Sequence, residues 1–129
     1  MEKVDPMMVT PHGIQKNFQH MLFQDAASWR SGNWVKDLSC LNRDMSKVIL
    51  VDHDGDKDWQ MQPENTIGLS VWDGDPDDTE LLDLITVLES FVMPQPGTTD
   101  VRPYVMELRD RPEGMPFIDR HRQLQRELR

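Results

Sequence analysis

Asp52-His53-Asp54-Gly55-Asp56-Lys57-Asp58 places four carboxylates at alternate positions around one imidazole, the chain's densest run of groups able to ligate or to move a proton. A calcium loop starts with this alternation. It also needs Gly at its sixth position for the sharp turn and Glu at its twelfth as a bidentate ligand. Counted from Asp52 those positions hold Lys57 and Pro63; from Asp54, Trp59 and Asn65; from Asp73, Asp78 and Leu84. None fits, so calcium is not expected. The run also carries a pair suited to phosphoryl transfer, with Asp52 as nucleophile at the end of an apolar strand and Asp54 as acid or base.

The remaining reactive residues are scattered. His12, His20, His53 and His121 lie far apart, without the HxxxH or HExxH spacing that puts two ligands on one helix face. Cys40 is the lone cysteine, which excludes an internal disulfide framework, and it reads as a small buried hydrophobe. GxGxxG, GxxxxGK(S/T) and GxSxG are all absent. No metal and no cofactor is expected.

The elements that would position these groups follow from periodicity. Ile14, Phe18, Met21, Leu22, Ala26 and Trp29 share one face of a helix that starts at Gly13, with Ser31-Gly32-Asn33 as its stop. Trp34 to Leu38 reads as a short extended piece. Val48-Ile49-Leu50-Val51 reads as a strand buried on both faces of a parallel sheet, and Thr66 to Val71 as a second strand. The spacing predicts a helix over Pro76 to Val92, capped by Asp75, with acids at the positive end of its dipole. Its apolar stripe is Leu81, Leu84, Ile85, Leu88, Phe91 and Val92, and Met93-Pro94-Gln95-Pro96-Gly97 ends it. Two short helices are expected around the break at Arg111-Pro112. The organisation is an N-terminal segment and helix (1–33), a partial α/β domain (34–92) and a Pro/Arg-rich helical tail (93–129).

Composition limits what this scaffold can do. The 129 residues fit one domain, and 37% hydrophobic content supports only a modest core. The longest apolar run, Val48 to Val51, is far too short to span a bilayer. A net charge of −9 argues against a nucleic-acid surface. From Asp52 to Glu89 there are twelve acids and one base, Lys57, whereas the stretch from Arg102 has seven Arg against five acids. Such a run is commonly a solvated face. It is also what a groove for a basic helical partner requires, with Asp54, Asp56, Asp58, Asp73, Asp75, Asp77 and Asp78 as the candidate contacts. Met1 to His12 has neither a secretory nor a transit-peptide pattern, so any targeting is internal or lies outside this chain.

Several stretches together resemble the second half of the RNA-polymerase C-terminal-domain phosphatase homology fold, which is haloacid-dehalogenase-like. They are Trp34 to Asp44, Ser46 to Asp52, Gln62-Pro63-Glu64-Asn65, Trp72 to Asp78 and Asp100-Val101-Arg102-Pro103. Their order is most similar to the receptor-subunit family of the mitochondrial inner-membrane presequence translocase, and Val4-Asp5-Pro6 with the helix around Phe18 to Arg30 suits the segment before it. The resemblance implies an α/β fold with a parallel sheet and flanking helices, truncated here to its second half, plus the helical Arg-rich tail. If Asp52 and Asp54 were the nucleophile motif of that fold, Asp56 would stand where Thr or Val is expected. Aligned by order instead, Lys36 falls on the phosphate-steadying lysine and Asp52-His53 on the Asp-Asn pair whose Asn reaches magnesium. His53 suits that hard ion less well. The nucleophile half has no counterpart in these residues, which makes Lys36 and Asp52 relics with structural roles and leaves a sheet edge open to association.

The resemblance therefore implies a non-catalytic subunit of a mitochondrial inner-membrane assembly, with other protein subunits as partners and basic amphipathic presequence helices as possible ligands. Two alternatives stand beside it. One is an accessory structural subunit of a respiratory complex, ATP synthase or ribosome; the other is a fragment of a magnesium-dependent phosphatase.

Overall fold

The computed structural model describes residues 19–92 and 100–128. His12, Ile14, Phe18, the Val4-Asp5-Pro6 stretch and the Met93–Gly97 stop lie outside the described residues. Seven elements matter here: β1 (Ser28–Arg30), β2 (Asn33–Val35), β3 (Leu50–Asp52), β4 (Thr66–Gly68), α1 (Glu80–Val92), α2 (Val101–Arg109) and α3 (Phe117–Glu127).

The described part of the first expected helix is not helical. After a single 3-10 turn at Gln24–Ala26, the chain enters β1, which pairs antiparallel with β2 in the register Ser28↔Val35, Trp29↔Trp34 and Arg30↔Asn33. Ser31 and Gly32 both have positive φ, 50° and 84°, the signature of a two-residue hairpin turn whose twist matches the strands it joins. What reads as a helix stop is thus a hairpin turn. Trp29 and Trp34 face each other across it, rings 5.1 Å apart and edge-on.

The parallel sheet is present but small. β3 and β4 pair in the register Leu50↔Thr66, Val51↔Ile67 and Asp52↔Gly68. β3 starts two residues later than its apolar run because Val48 closes the 3-10 turn Met45–Lys47, its N–H reaching the Met45 carbonyl. It is half-buried, not buried on both faces, while all three residues of β4 are buried.

α1 begins four residues after Pro76. Asp75 does not cap it; the Asp78 carboxylate accepts from the Glu80 N–H at 2.8 Å, and Asp83 N–H bonds the Thr79 carbonyl. Only part of the expected stripe turns inward. Leu84 is buried and Leu88 and Phe91 pack against the core, while Leu81, Ile85 and Val92 remain exposed; Val87, outside that stripe, is fully buried. Cys40 is exposed rather than buried, because Leu38 is the residue of its 3-10 turn that points inward.

The two C-terminal helices form where expected, on either side of Arg111-Pro112, and they supply most of the core. Val101, Val105 and Leu108 of α2 and Phe117, Ile118 and Leu124 of α3 close on Ile67, Leu84 and Val87. Asp100 starts α2: its carboxylate accepts from the Arg102 N–H and pairs with the Arg102 guanidinium, which holds the carboxyl down to about 2.

Candidate functional site

An open cleft of about 800 Å³ lies between the end of β4, the 69–79 loop, the first turn of α1 and the 109–117 connection. Asp56, Asp73, Asp75, Asp78, Glu80, Asp83 and Glu113 line it, against Arg109 and Arg111. The loop is shaped by its own aspartates. Asp73 accepts from the Asp75 N–H at 3.1 Å, and Asp75 from the Asp77 N–H at 2.9 Å, so each carboxylate folds the backbone two residues ahead. Glu80 anchors the loop to α1 by accepting from both the N–H and the hydroxyl of Ser70.

The far wall depends on two glycines and two arginines. Gly55 packs directly on Gly68: a Cβ at 55 would lie 2.7 Å from the Gly68 Cα, and one at 68 would lie 2.5 Å from the Asp56 carboxyl carbon. Arg109 bridges this contact, donating to the Gly55 carbonyl at 2.8 Å and the Thr66 carbonyl at 3.3 Å. Asp56 pairs with both Arg109 (3.4 Å) and Arg111 (3.2 Å). Arg111 in turn donates to the Leu108 and Met115 carbonyls, fixing the turn into α3. Asp56 is therefore largely neutralised at the cleft wall.

A second cluster sits at the end of β3. The Lys36 ammonium pairs with Asp52 Oδ2, and Asp52 Oδ1 accepts from the Asp54 N–H at 3.0 Å. Burial pushes the Asp52 carboxyl up; the Lys36 ammonium and the Asp54 amide outweigh it and hold it below the usual carboxylate range. His53 bridges the two acids, its Nδ1 3.5 Å from Asp52 and its Nε2 3.3 Å from Asp54, and the three donor atoms lie within 4.8 Å of one another. This is a poor fit for magnesium. That ion demands near-octahedral oxygen ligation, whereas here an imidazole replaces an oxygen donor and an ammonium occupies one oxygen of the central carboxylate. The same contacts make Asp52 a poor nucleophile, since its side chain is only 7% exposed and both oxygens are engaged.

Gln62-Pro63-Glu64-Asn65 is a structural bracket. Gln62 accepts from the Leu38 N–H and donates to Asp37, and the fully buried Asn65 donates to the Met45 and Val48 carbonyls. Together they tie both 3-10 turns to the start of β4.

Of the seven acids singled out in the sequence, the fold gathers Asp56, Asp73, Asp75 and Asp78 at the cleft, while Asp54, Asp58 and Asp77 do not line it. Asp54 belongs to the β3 cluster instead. Glu80, Asp83 and Glu113 escaped the sequence reading, although a helix starting at Glu80 would have brought the first two to the loop. Arg109 and Arg111 came from a stretch with no distinctive motif; their only signal was a charge opposite to the acidic run.

The profile of the "NLI interacting factor-like phosphatase" family matches residues 4–107. Similar relatives named mitochondrial import inner membrane translocase subunit TIM50 occur in Debaryomyces hansenii (45% identical, covering 71% of this chain and 19% of the relative) and in Homo sapiens (42%, covering 73% and 25%). In Neurospora crassa the relative of that name is 54% identical, covering 53% of this chain and 12% of the relative. The chain thus spans a quarter or less of the length of these relatives. With a match over most of its length, which takes in the sheet, the β3 cluster and α1, the chain belongs to the NLI interacting factor-like phosphatase family.

Proposed function

We propose that this chain is a non-catalytic binding module of a mitochondrial inner-membrane presequence translocase, and that its acidic cleft receives basic amphipathic helices. The observation that carries the reading is the juxtaposition at the cleft. Carboxylates of the 73–83 segment, none of them in an ion pair among the described residues, line the cleft together with Val71, which is 70% exposed. Charge attracts an Arg-rich helix, and apolar contact seats it. Asp73, Asp75 and Asp78 are the principal contacts, joined by Glu80 and Asp83; Asp54, Asp58 and Asp77 add to the long-range field. The translocase names of the relatives support the setting. Among the described residues no helix is long and apolar enough to cross a membrane. The engaged oxygens of Asp52 support the absence of phosphoryl transfer.

The test is fluorescence anisotropy with a labelled amphipathic peptide carrying Arg on one face, against a Glu-for-Arg control. Binding should weaken steeply between 50 and 300 mM salt, and Asp73→Asn with Asp75→Asn and Asp78→Asn should lower the on-rate. Salt-independent binding, or equal binding of the Glu peptide, would overturn the reading. Magnesium-dependent turnover of an aryl phosphate that Asp52→Asn abolishes would overturn its non-catalytic part.

A further inference from the structure

We propose that the junction of α1, α2 and α3 around His121 is a pH-sensitive latch, which holds the α3 wall of the cleft at neutral pH and releases it on mild acidification. His121 is 4% exposed, and its Nδ1 lies 2.7 Å from the Tyr104 hydroxyl. Gln125 donates to the same hydroxyl oxygen at 3.1 Å. With Gln125 donating to that oxygen, the phenolic hydrogen has Nδ1 as its acceptor among the described residues, which is the arrangement of a neutral imidazole with an acceptor Nδ1. The rings stack edge-on in series, His121 on Tyr104 at 5.9 Å and Tyr104 on Phe91 at 5.5 Å, so one string of contacts joins all three helices.

Protonation breaks this arrangement. Nδ1 becomes a donor, the phenol loses its acceptor, and a positive charge arises where water is nearly excluded. Among the described residues nothing nearby compensates. On α3 the neighbouring charge is the Arg122 guanidinium, which disfavours a second cation and is itself paired with Asp119. Arg120, also on α3, holds Glu107 of α2 at 3.1 Å. From α1, Phe91 packs on Tyr104; of that helix's acids, Glu80 is engaged with Ser70 and Asp83 with Thr79, and Glu89 is exposed. Among the described residues no carboxylate bonds the ring. Burial, with Arg122 second, pushes the imidazole below its ordinary value.

The consequence reaches the cleft because Met115, Pro116 and Phe117 line it, and Phe117 begins α3. Once α3 detaches, that wall is lost whatever the cleft binds.

Amide hydrogen exchange on the full chain, followed by NMR from pH 7.5 to 5.0 and corrected for intrinsic rates, tests the latch. Each opening event takes up one proton, so protection across residues 117–127 should fall about tenfold per pH unit below ~6.5. Protection in β3 and β4 should fall less. His121→Gln should flatten the response, and His53→Gln should leave it intact. Should His121→Gln not fold, the wild-type His121 resonance decides the matter, and it should titrate below the ordinary histidine value. Constant α3 protection in the wild type, an unchanged response in His121→Gln, or a buried imidazole titrating at or above ~6.5 would each overturn the proposal.

Discussion

Replacing Arg109 with Leu tests whether the last turn of α2 or the acidic loop itself holds the cleft wall together. The Arg109 side chain is only 17% exposed and donates to two backbone carbonyls, Gly55 at 2.8 Å and Thr66 at 3.3 Å. A hydrogen bond from a charged donor contributes about 1.5–3 kcal/mol. The shorter bond belongs near the upper end of that range and the longer one near or below the lower end, and Leu recovers part of the apolar packing. The net loss is about 3 kcal/mol. With a urea slope of roughly 1–3 kcal/mol/M for a domain of this size, the midpoint should drop by about 1–3 M. The ion pair to Asp56 contributes little to this sum, because that carboxylate is 53% exposed. Asp56→Asn should therefore cost well under ~1 kcal/mol. Arg109→Lys should lie between Leu and wild type, since both carbonyls are bonded by the single nitrogen Nη1 and an ammonium on a shorter stem also carries donors enough for both. Urea unfolding followed by tryptophan fluorescence measures all three. An Arg109→Leu midpoint within error of wild type, or an Asp56→Asn loss as large as the Arg109→Leu loss, would refute the assignment of the wall to backbone bridging.

Two further outcomes follow from the same geometry. Gly55→Ala should destabilise more than Gly68→Ala, because the new Cβ at 55 meets backbone atoms and the one at 68 meets a side chain that can swing away; thermal melting of both variants checks the order. The Asp100 carboxyl is held at about 2 by Arg102, below its unfolded value, so the folded state binds fewer protons than the unfolded chain in the interval between the two. Its stabilisation is fully present above ~4 and is lost as pH falls toward ~2. Asp100→Asn should accordingly flatten the acid limb of the stability curve below pH ~4 and leave the region where His121 titrates unchanged, which urea midpoints taken from pH 2 to 7 will show.

What the sequence discloses here tracks how local the deciding interactions are. The presence of α2 and α3 was legible because the Arg111-Pro112 break acts within a few residues; the equally local carboxylate cap at Asp100 that starts α2 went unread. The parallel pairing of β3 with β4 was legible from an apolar run together with family resemblance. The region from Met21 to Val35 misled because Met21, Leu22, Ala26 and Trp29 satisfy a helical period, while the deciding fact is a turn in which Ser31, a residue with no special licence for positive φ, adopts 50° beside Gly32. Periodicity counts side chains on a face and is blind to such a turn unless Asn-Gly or Asp-Gly announces it. The start of α1 misled for a related reason. Pro76 and its flanking acids fit a helix N-terminus, yet in the structure those carboxylates bond amides two residues ahead and spend four residues as turns. That same competition is what shapes the cleft, since a helix begun at Pro76 would wind Asp77 and Asp78 into its first turn and remove the loop that Ser70 and Glu80 pin open. The partnership of Arg109 with Gly55 spans 54 positions and leaves no local trace. Only a fold that returns α2 to the β3–β4 connection brings them together, so the half of the cleft made by basic residues had to be seen rather than read.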